Sequence, residues 1–329
     1  MFWDKLKAPY MILAPMEAVT DVPFRQVVAK AGAPEVFFTE FTNVSSYANE
    51  AGRANAMERL VFAPGESGEV GVVNADGVAM HPLVAQIWGK NPEHFKEAVR
   101  GCVSLGYKAI DINMGCPEKN VVKNGGGAGM IRTPELAVEV IRAAKEAAGG
   151  GADISVKTRL GFSKVEEWRD WLRLVLEQDL AALTVHLRTR KEMSNVDAHF
   201  ELLPEIVALR NEVAPKTRLH INGDIVDRKH GERLMREHGF EGAMIGRGVF
   251  VNPFCFVKRQ PTRVDLMKLL CLHVSLWPNP DYIEPLKRFF KVYIRDFDGA
   301  SMMREKLMAT QSLAEVREAL ESEGVKYEV

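Results

Sequence analysis

One cysteine stands apart in this chain. Cys116 lies in DINMGCPEKNVVKNGGGAGM (residues 111–130), where a strand-like run ends in Cys-Pro and passes into four glycines within five residues. Asn113 precedes it by three residues, and Lys119 and Lys123 follow. A free thiol titrates at ~8.5, so at neutral pH it can donate a proton as a general acid. As a thiolate it would be a nucleophile instead. The residues leave both roles open, and the glycines are expected to make the loop mobile enough to carry the thiol to a substrate. Cys102 sits in a helical stretch and Cys255 and Cys271 in apolar runs, so these three read as small core residues.

Other polar residues recur at one kind of place, the end of a short apolar run. They are Pro15-Met16-Glu17, Gln86, Lys157 with Arg159, His186 with Arg188 and Arg190, Asn222-Gly223-Asp224, and Gly246-Arg247-Gly248. The two glycine-containing groups leave backbone amides unobstructed, which suits a phosphate, and Arg247 can add a bidentate contact. Lys157 needs a counter-charge. That is either an inward carboxylate such as Glu40 or Asp111, or an anionic ligand such as a reduced flavin ring. His186 suits a phosphate, a ring carbonyl or a structural hydrogen bond, while Arg188 and Arg190 suit a polyanionic substrate.

These residues must be positioned by something. Eight apolar, β-branched runs recur at 10–15, 36–41, 83–89, 109–115, 154–161, 181–188, 218–225 and 242–249, separated by helical segments such as TPELAVEVIRAAKEAAG. Strands alternating with helices predict parallel βα units with strands buried on both faces. Eight such units predict a TIM (β/α)8 barrel, whose active site lies at the strand C-terminal ends. A doubly wound sheet is the rival, but no GxGxxG follows an early strand. Residues 61–80 break the rhythm as a Gly-rich insertion. After 252–265 only amphipathic helices follow, so residues 1–256 are expected to form the barrel and 257–329 a smaller all-α bundle.

Composition narrows the class. The 329 residues are 47% hydrophobic, enough for a large core, and a net charge of -1 excludes a uniformly basic surface while leaving room for local basic patches. The four cysteines show neither CxxC pairing nor zinc spacing, which suits a reducing compartment and no metal. No leader-like or membrane-length apolar run occurs. A cytoplasmic protein without membrane contact, monomeric by default, is expected.

Taken in order, LAPMEAVTDVPFR (13–25), AQIWGKNPEHF (85–95), DINMGCPEKNVVKNGGGAGM (111–130), VKTRLG (156–161), VHLRTR (185–190), INGDI (221–225) and MIGRGVFVNP (244–253) resemble the tRNA-dihydrouridine synthases. The later FKVYIRDFDGASMMREKL (290–307) is similar to that family's closing helical domain, so the likeness runs almost the whole chain. The resemblance implies FMN-dependent reduction of tRNA uridine to 5,6-dihydrouridine, with NADPH as reductant. It implies that Pro15, Met16 and Glu17 border the FMN, that Gln86 and Lys157 contact its ring with help from His186, and that Asn222, Gly223, Asp224, Gly246 and Arg247 hold its phosphate. Cys116 would protonate C5 after hydride reaches C6, and Asn113 would orient the base.

One position departs from the family pattern. His-Gly-Arg-Thr is usual where this chain has His186-Leu187-Arg188-Thr189, and Leu187 is expected to narrow the cleft or shift the loop. The run LKRFFKVYIR (286–295) sets Lys287, Arg288, Lys291 and Arg295 among aromatics with no acid, which suits tRNA phosphates at a helix face; Lys119, Lys123, Arg188 and Arg190 would add to that grip. A buried target base must be extruded to react. The rivals are a flavin barrel of dihydroorotate-dehydrogenase type, which would not need the basic helical module, and a non-catalytic tRNA-binding factor, which would not need Cys116 or Lys157.

Overall fold

A computed structural model describes residues 1–325 of the chain. All eight expected strands form: β1 (Tyr10–Leu13), β2 (Phe37–Asn43), β3 (His81–Trp88), β4 (Ala109–Met114), β5 (Asp153–Arg159), β6 (Ala182–His186), β7 (Arg218–Asn222) and β8 (Gly242–Ile245). Every pairing is parallel, and β8 returns to β1 with Tyr10 opposite Gly242. The Ile12–Val36 bridge, with the Leu13 amide donating to the Val36 carbonyl at 3.0 Å, joins β1 to β2 and closes the ring. The fold is the TIM barrel that the strand rhythm predicts. The insertion at 61–80 adds a two-residue strand, Glu66–Ser67, beside β3.

The strands are buried on both faces, but the two faces differ. Alternate residues Ile110, Ile112 and Met114 of β4 point out into the apolar layer beneath the helices, whereas Asp111 and Asn113 point inward. The outer layer is covered in turn by α1 (Val22–Gly32), α2 (Val44–Ala48), α3 (Glu50–Glu58), α4 (Pro92–Ser104), α5 (Lys119–Lys123), α6 (Pro134–Ala148), α7 (Trp168–Leu176), α8 (Leu203–Val213), α9 (Arg228–His238) and α10 (Gly248–Val251). The entries follow sequence: Asp21 caps α1 ahead of Pro23, and α6 begins at Pro134 and stops at Gly149, whose φ is +54°. A separate apolar cluster fills the barrel floor, where Trp3 packs against His220 (4.7 Å between ring centres), Tyr10 and Phe38.

Beyond α10 come α11 (Arg263–Leu276), α12 (Glu284–Lys287), α13 (Phe290–Tyr293), α14 (Ala300–Ala309) and α15 (Leu313–Ser322). The basic run is thus not one helix face; it is split between the single turns α12 and α13. These helices share one apolar core with the barrel's outer layer, joined where Phe24 of α1 meets Phe289 (5.2 Å), Phe250 (6.0 Å) and His273 (6.1 Å). Residues 326–329 of the expected helical domain lie outside the described residues. Among the described residues no helix is long and apolar enough to cross a membrane.

Candidate active site at the barrel mouth

A cavity of about 610 Å³ opens at the C-terminal ends of the strands, within the size range of small-molecule sites. Pro15 and Met16 after β1, Lys157 of β5, and His186 and Arg188 at the end of β6 line it. Asn222, Gly223 and Asp224 after β7 and Gly246 and Arg247 after β8 complete the lining. Two expected residues are elsewhere. Glu17 is exposed and pairs with Arg59 at 2.8 Å, and Gln86 is fully buried outside the lining.

Lys157 carries the electrostatics of the cavity. Among the described residues its ammonium makes no hydrogen bond and no ion pair; burial, then the charge of Arg159, pulls its pKa down to about 8. Neither expected carboxylate forms an ion pair with it, although the Asp111 charge partly offsets the shift. Asp111 accepts from Ser155 Oγ and Gln86 Nε2, both at 2.7 Å, and Glu40 accepts from the Ala18 amide at 2.6 Å. A desolvated cation without a partner is costly, and an anionic ligand relieves that cost.

Backbone geometry beside it fits the same anion. Gly223 and Asp224 both take positive φ, +118° and +49°. Among the described residues the amides of Asp224, Gly246 and Arg247 donate to no protein acceptor. The Asp224 carboxylate is not free for a ligand: it accepts from Arg188, from Arg247 Nη2 at 3.0 Å and from the Ala198 amide at 3.0 Å. Arg188, expected to suit a polyanionic substrate, is instead tied to protein groups. It is 2% exposed, and its Nε donates to the Val196 carbonyl at 2.7 Å. Its Nη1 lies 3.3 Å from His186 Nε2; a guanidinium can only donate, so that nitrogen accepts and the imidazole proton sits on Nδ1. Burial, reinforced by Arg159, Lys157, Arg188 and Arg247, holds His186 well below its usual pKa, hence neutral.

Cys116 follows β4 and is half-buried; neither it nor Asn113 lines the cavity, although the Lys157 charge acts on the thiol. Burial raises its thiol pKa, against the Glu118 amide and the charges of Arg159 and Lys157, so the group is a thiol at neutral pH. That favours proton donation over nucleophilic attack. A chain of hydrogen bonds holds its backbone. Asp111 accepts from Gln86 Nε2 (2.7 Å), Gln86 Oε1 from Asn113 Nδ2 (3.0 Å), and Asn113 Oδ1 from the amides of Gly115 (3.1 Å) and Cys116 (2.9 Å). Arg159 Nε adds a bond to the Gly115 carbonyl at 2.7 Å. Asn113 thus positions the cysteine turn with the groups expected to orient a base. The reading of strands as uniformly apolar missed Asp111, Ser155 and Arg159 as parts of this network. Their signal was the alternation of polar and apolar residues in AIDINM and DISVKTR.

The glycine loop is folded, not loose. It forms α5 and a tight turn over Gly127–Arg132, and Gly126 through Met130 are buried. A Cβ on Gly127 would stand 2.7 Å from the Cys116 carbonyl oxygen, and one on Gly129 would stand 2.9 Å from that of Val122. The glycines permit close packing. Leu187 does not narrow the cleft either: it is fully buried in the outer core, facing the helices.

Of the expected RNA contacts, Lys119, Lys123, Arg288 and Lys291 are exposed. Lys287 is 6% exposed and bound to Glu284 at 2.8 Å, and Arg295 is half-buried 3.6 Å from Asp296. Arg190 is half-buried beside Phe162.

The family model for dihydrouridine synthase (Dus) matches residues 12–275. A probable tRNA-dihydrouridine synthase 2 of Bacillus subtilis is 50% identical over 333 residues, covering 99% of this chain and 97% of the relative. A probable tRNA-dihydrouridine synthase of Staphylococcus aureus is 49% identical over 341 residues, covering 100% of this chain and 99% of the relative. Among solved structures, histamine dehydrogenase from Rhizobium sp. 4-9 superposes with a TM-score of 0.51 at 13% identity, over 80% of this chain and 48% of that one. That last likeness is one of fold.

Proposed function

The chain belongs to the dihydrouridine synthase (Dus) family, and we propose that it reduces uridines of tRNA to 5,6-dihydrouridine at the barrel mouth, with FMN as resident cofactor and NADPH as electron source. The observation that carries the cofactor reading is Lys157, a half-buried cation with no hydrogen bond or ion pair to the protein, in a cavity edged by unpartnered amides. The amides of Asp224, Gly246 and Arg247, with the side chain of Arg247, would hold a flavin phosphate. Asn222 and Gly223 shape that turn, Pro15 and Met16 give an apolar border, and neutral His186 offers Nδ1–H as a donor. Lys157 compensates negative charge on the ring system. Reduced FMN, when bound, supplies hydride to uracil C6.

Cys116, held as a thiol, gives its proton to C5. The thiolate left behind lies in the field of Arg159 and Lys157, which lower its pKa, and it recovers a proton from water. Asn113 and Gln86 fix the turn that presents it. Exposed Lys119 and Lys123 meet RNA phosphates beside the extruded base, and the C-terminal helices add exposed Arg288 and Lys291. Phe289, next to Arg288, stacks on Phe24 (5.2 Å) in the first turn of α1, the end of that helix that follows the C-terminal end of β1, which supports a basic surface on the mouth side.

Purified protein is expected to be yellow and to form dihydrouridine when incubated with tRNA and NADPH. A colourless protein that refuses FMN sinks the reading. Bound flavin without product on any tRNA favours a barrel acting on a free pyrimidine.

A further inference from the structure

Beside the mouth lies a second, open cavity of about 740 Å³, between the loop after β4 and the loop after β5, lined by Arg132, Phe162 and Trp171 among others. Phe162 is half-buried, and two guanidiniums share its ring: Arg132 Cζ at 5.1 Å and Arg190 Cζ at 5.5 Å from the centroid. Neither guanidinium has a carboxylate partner among the described residues, and Arg190 Nε is buried without a hydrogen-bond partner. Glu167 also lines the cavity, but its carboxylate is occupied by the amides of Phe162, Ser163 and Lys164; Asp170 is exposed on α7.

The support beneath this ring is rigid. The Leu160 amide donates to the Arg188 carbonyl (3.1 Å), that of Arg190 to Gly161 (2.8 Å) and that of Lys191 to Phe162 (2.9 Å), so the loops after β5 and β6 run on as a paired ribbon. Arg132 ends the folded glycine loop that begins at Cys116. The group is therefore tied on one side to the strand of Arg188 and on the other to the candidate acid. The ring face is worth roughly 1 kcal/mol to each cation but gives neither a counter-charge, which a bound anion would supply. A ring for stacking and guanidiniums for phosphate are the pairing that single-stranded nucleic acid uses.

We propose that Arg132, Phe162 and Arg190 clamp the base and phosphate of a nucleotide adjoining the target uridine, holding the RNA strand while its neighbour enters the mouth. This rests on the reading of tRNA as substrate. It adds a site that the mouth itself does not require, because it acts on the flanking nucleotide.

The test is tRNA binding to the full-length holoprotein across a salt series, with Arg132→Gln, Arg132→Lys and Phe162→Leu. Arg132→Gln should lower the slope of log K against log salt by about 0.7, the share of one single-strand phosphate, while Arg132→Lys keeps it. Phe162→Leu should weaken binding by about tenfold, the worth of one stacked base, and raise KM with kcat held within about twofold. Flavin content should stay at the wild-type level in all three. Wild-type slope and affinity in Arg132→Gln and Phe162→Leu overturn the clamp, as does a loss of flavin in step with binding, which would mark a structural role. Failure of the wild-type protein to bind tRNA overturns the substrate reading and the clamp with it.

Discussion

Two glycine-rich stretches edge the same barrel mouth and use glycine for opposite ends. At Gly246, after β8, glycine leaves space: the nearest atoms to a Cβ would be Ala14 Cβ at 3.6 Å and Met16 Sδ at 3.8 Å. Its amide donates to no protein acceptor among the described residues, although a Cβ on Gly248, two residues on, would stand 2.9 Å from the Val226 carbonyl oxygen. After β4, glycine removes space: a Cβ on Gly127 would press on Cys116, and one on Gly126 would stand 3.0 Å from the Trp88 ring. The first position leaves a backbone amide open for an anion, and the second stretch is packed against the chain itself. The cofactor side should therefore respond to mutation through binding, and the cysteine side through turnover.

The largest break in that contrast is at the acid. Cys116→Ala should lower kcat by about 10²–10⁴, the usual worth of a general acid, while flavin content measured from the absorption spectrum stays unchanged. Unaltered turnover would remove Cys116 from the mechanism.

Lys157→Met tests the other side. It should cost roughly a hundredfold in FMN affinity, the equivalent of one lost charge interaction of about 3 kcal/mol. The apoprotein should gain stability, because a desolvated cation is removed. The folded-state pKa of about 8 lies below the ordinary lysine value of 10.5. Below pH 8 both folded and unfolded chains carry the proton and the penalty is full; it disappears as pH rises from 8 to 10.5. Denaturant melts of apoprotein should show the variant ahead by about 3 kcal/mol at pH 7 and level with wild type near pH 10.5. A variant less stable than wild type at pH 7 would mean that Lys157 has a protein partner.

Asp111→Asn asks whether the cysteine side depends on its hydrogen-bond chain. The carboxylate only accepts, so it fixes the Gln86 amide, which fixes the Asn113 amide, which leaves Oδ1 for the Gly115 and Cys116 amides. An Asn whose NH₂ meets Gln86 reverses each link in turn. About a tenfold fall in kcat is expected, the equivalent of one hydrogen bond, with flavin affinity intact. Burial raises the Asp111 pKa to about 6 from 3.8, so wild-type kcat should decline as pH falls through about 6, where the carboxylate gains its proton. The variant should lack that acid limb. A limb that persists in Asp111→Asn belongs to another group.

The strands and the barrel were legible because apolar runs of strand length, separated by capped helices, leave few other ways to bury both faces. The cavity side was legible for a related reason, since Asn222-Gly223-Asp224 and Gly246-Arg247 sit where strands end and need no long-range contact to be seen. What misled was physics that depends on neighbours. GGGAG reads as mobile until Trp88, Val122 and the Cys116 carbonyl are brought against it. Glu17 faces Arg59, and Lys287 faces Glu284, because partners distant or near in sequence took their charges. Leu187 reads as an obstruction at the mouth until strand alternation turns it to the outer core. Arg188 lines the cavity, but its hold on Asp224 and His186 depends on the β7 loop beside it and is not written in the local sequence.

The smallest effect gives the most direct test of the opening contrast, because it makes the same chemical change on both sides. Gly127→Ala forces a side chain onto φ +54° and against a carbonyl at 2.7 Å, a combination worth about 1–3 kcal/mol of stability. Relief can come only by moving the Cys116 turn, so kcat should fall with it. Gly246→Ala meets nothing closer than 3.6 Å and no positive φ, so stability should change by less than about 0.5 kcal/mol. Its methyl group lies beside the unpartnered amides, and FMN affinity should drop by a few fold with kcat at saturating flavin unchanged. Paired thermal melts and flavin titrations measure both. Equal losses of stability in the two variants would show that the mouth is packed alike on both sides, and the division between a side that binds and a side that reacts would fail.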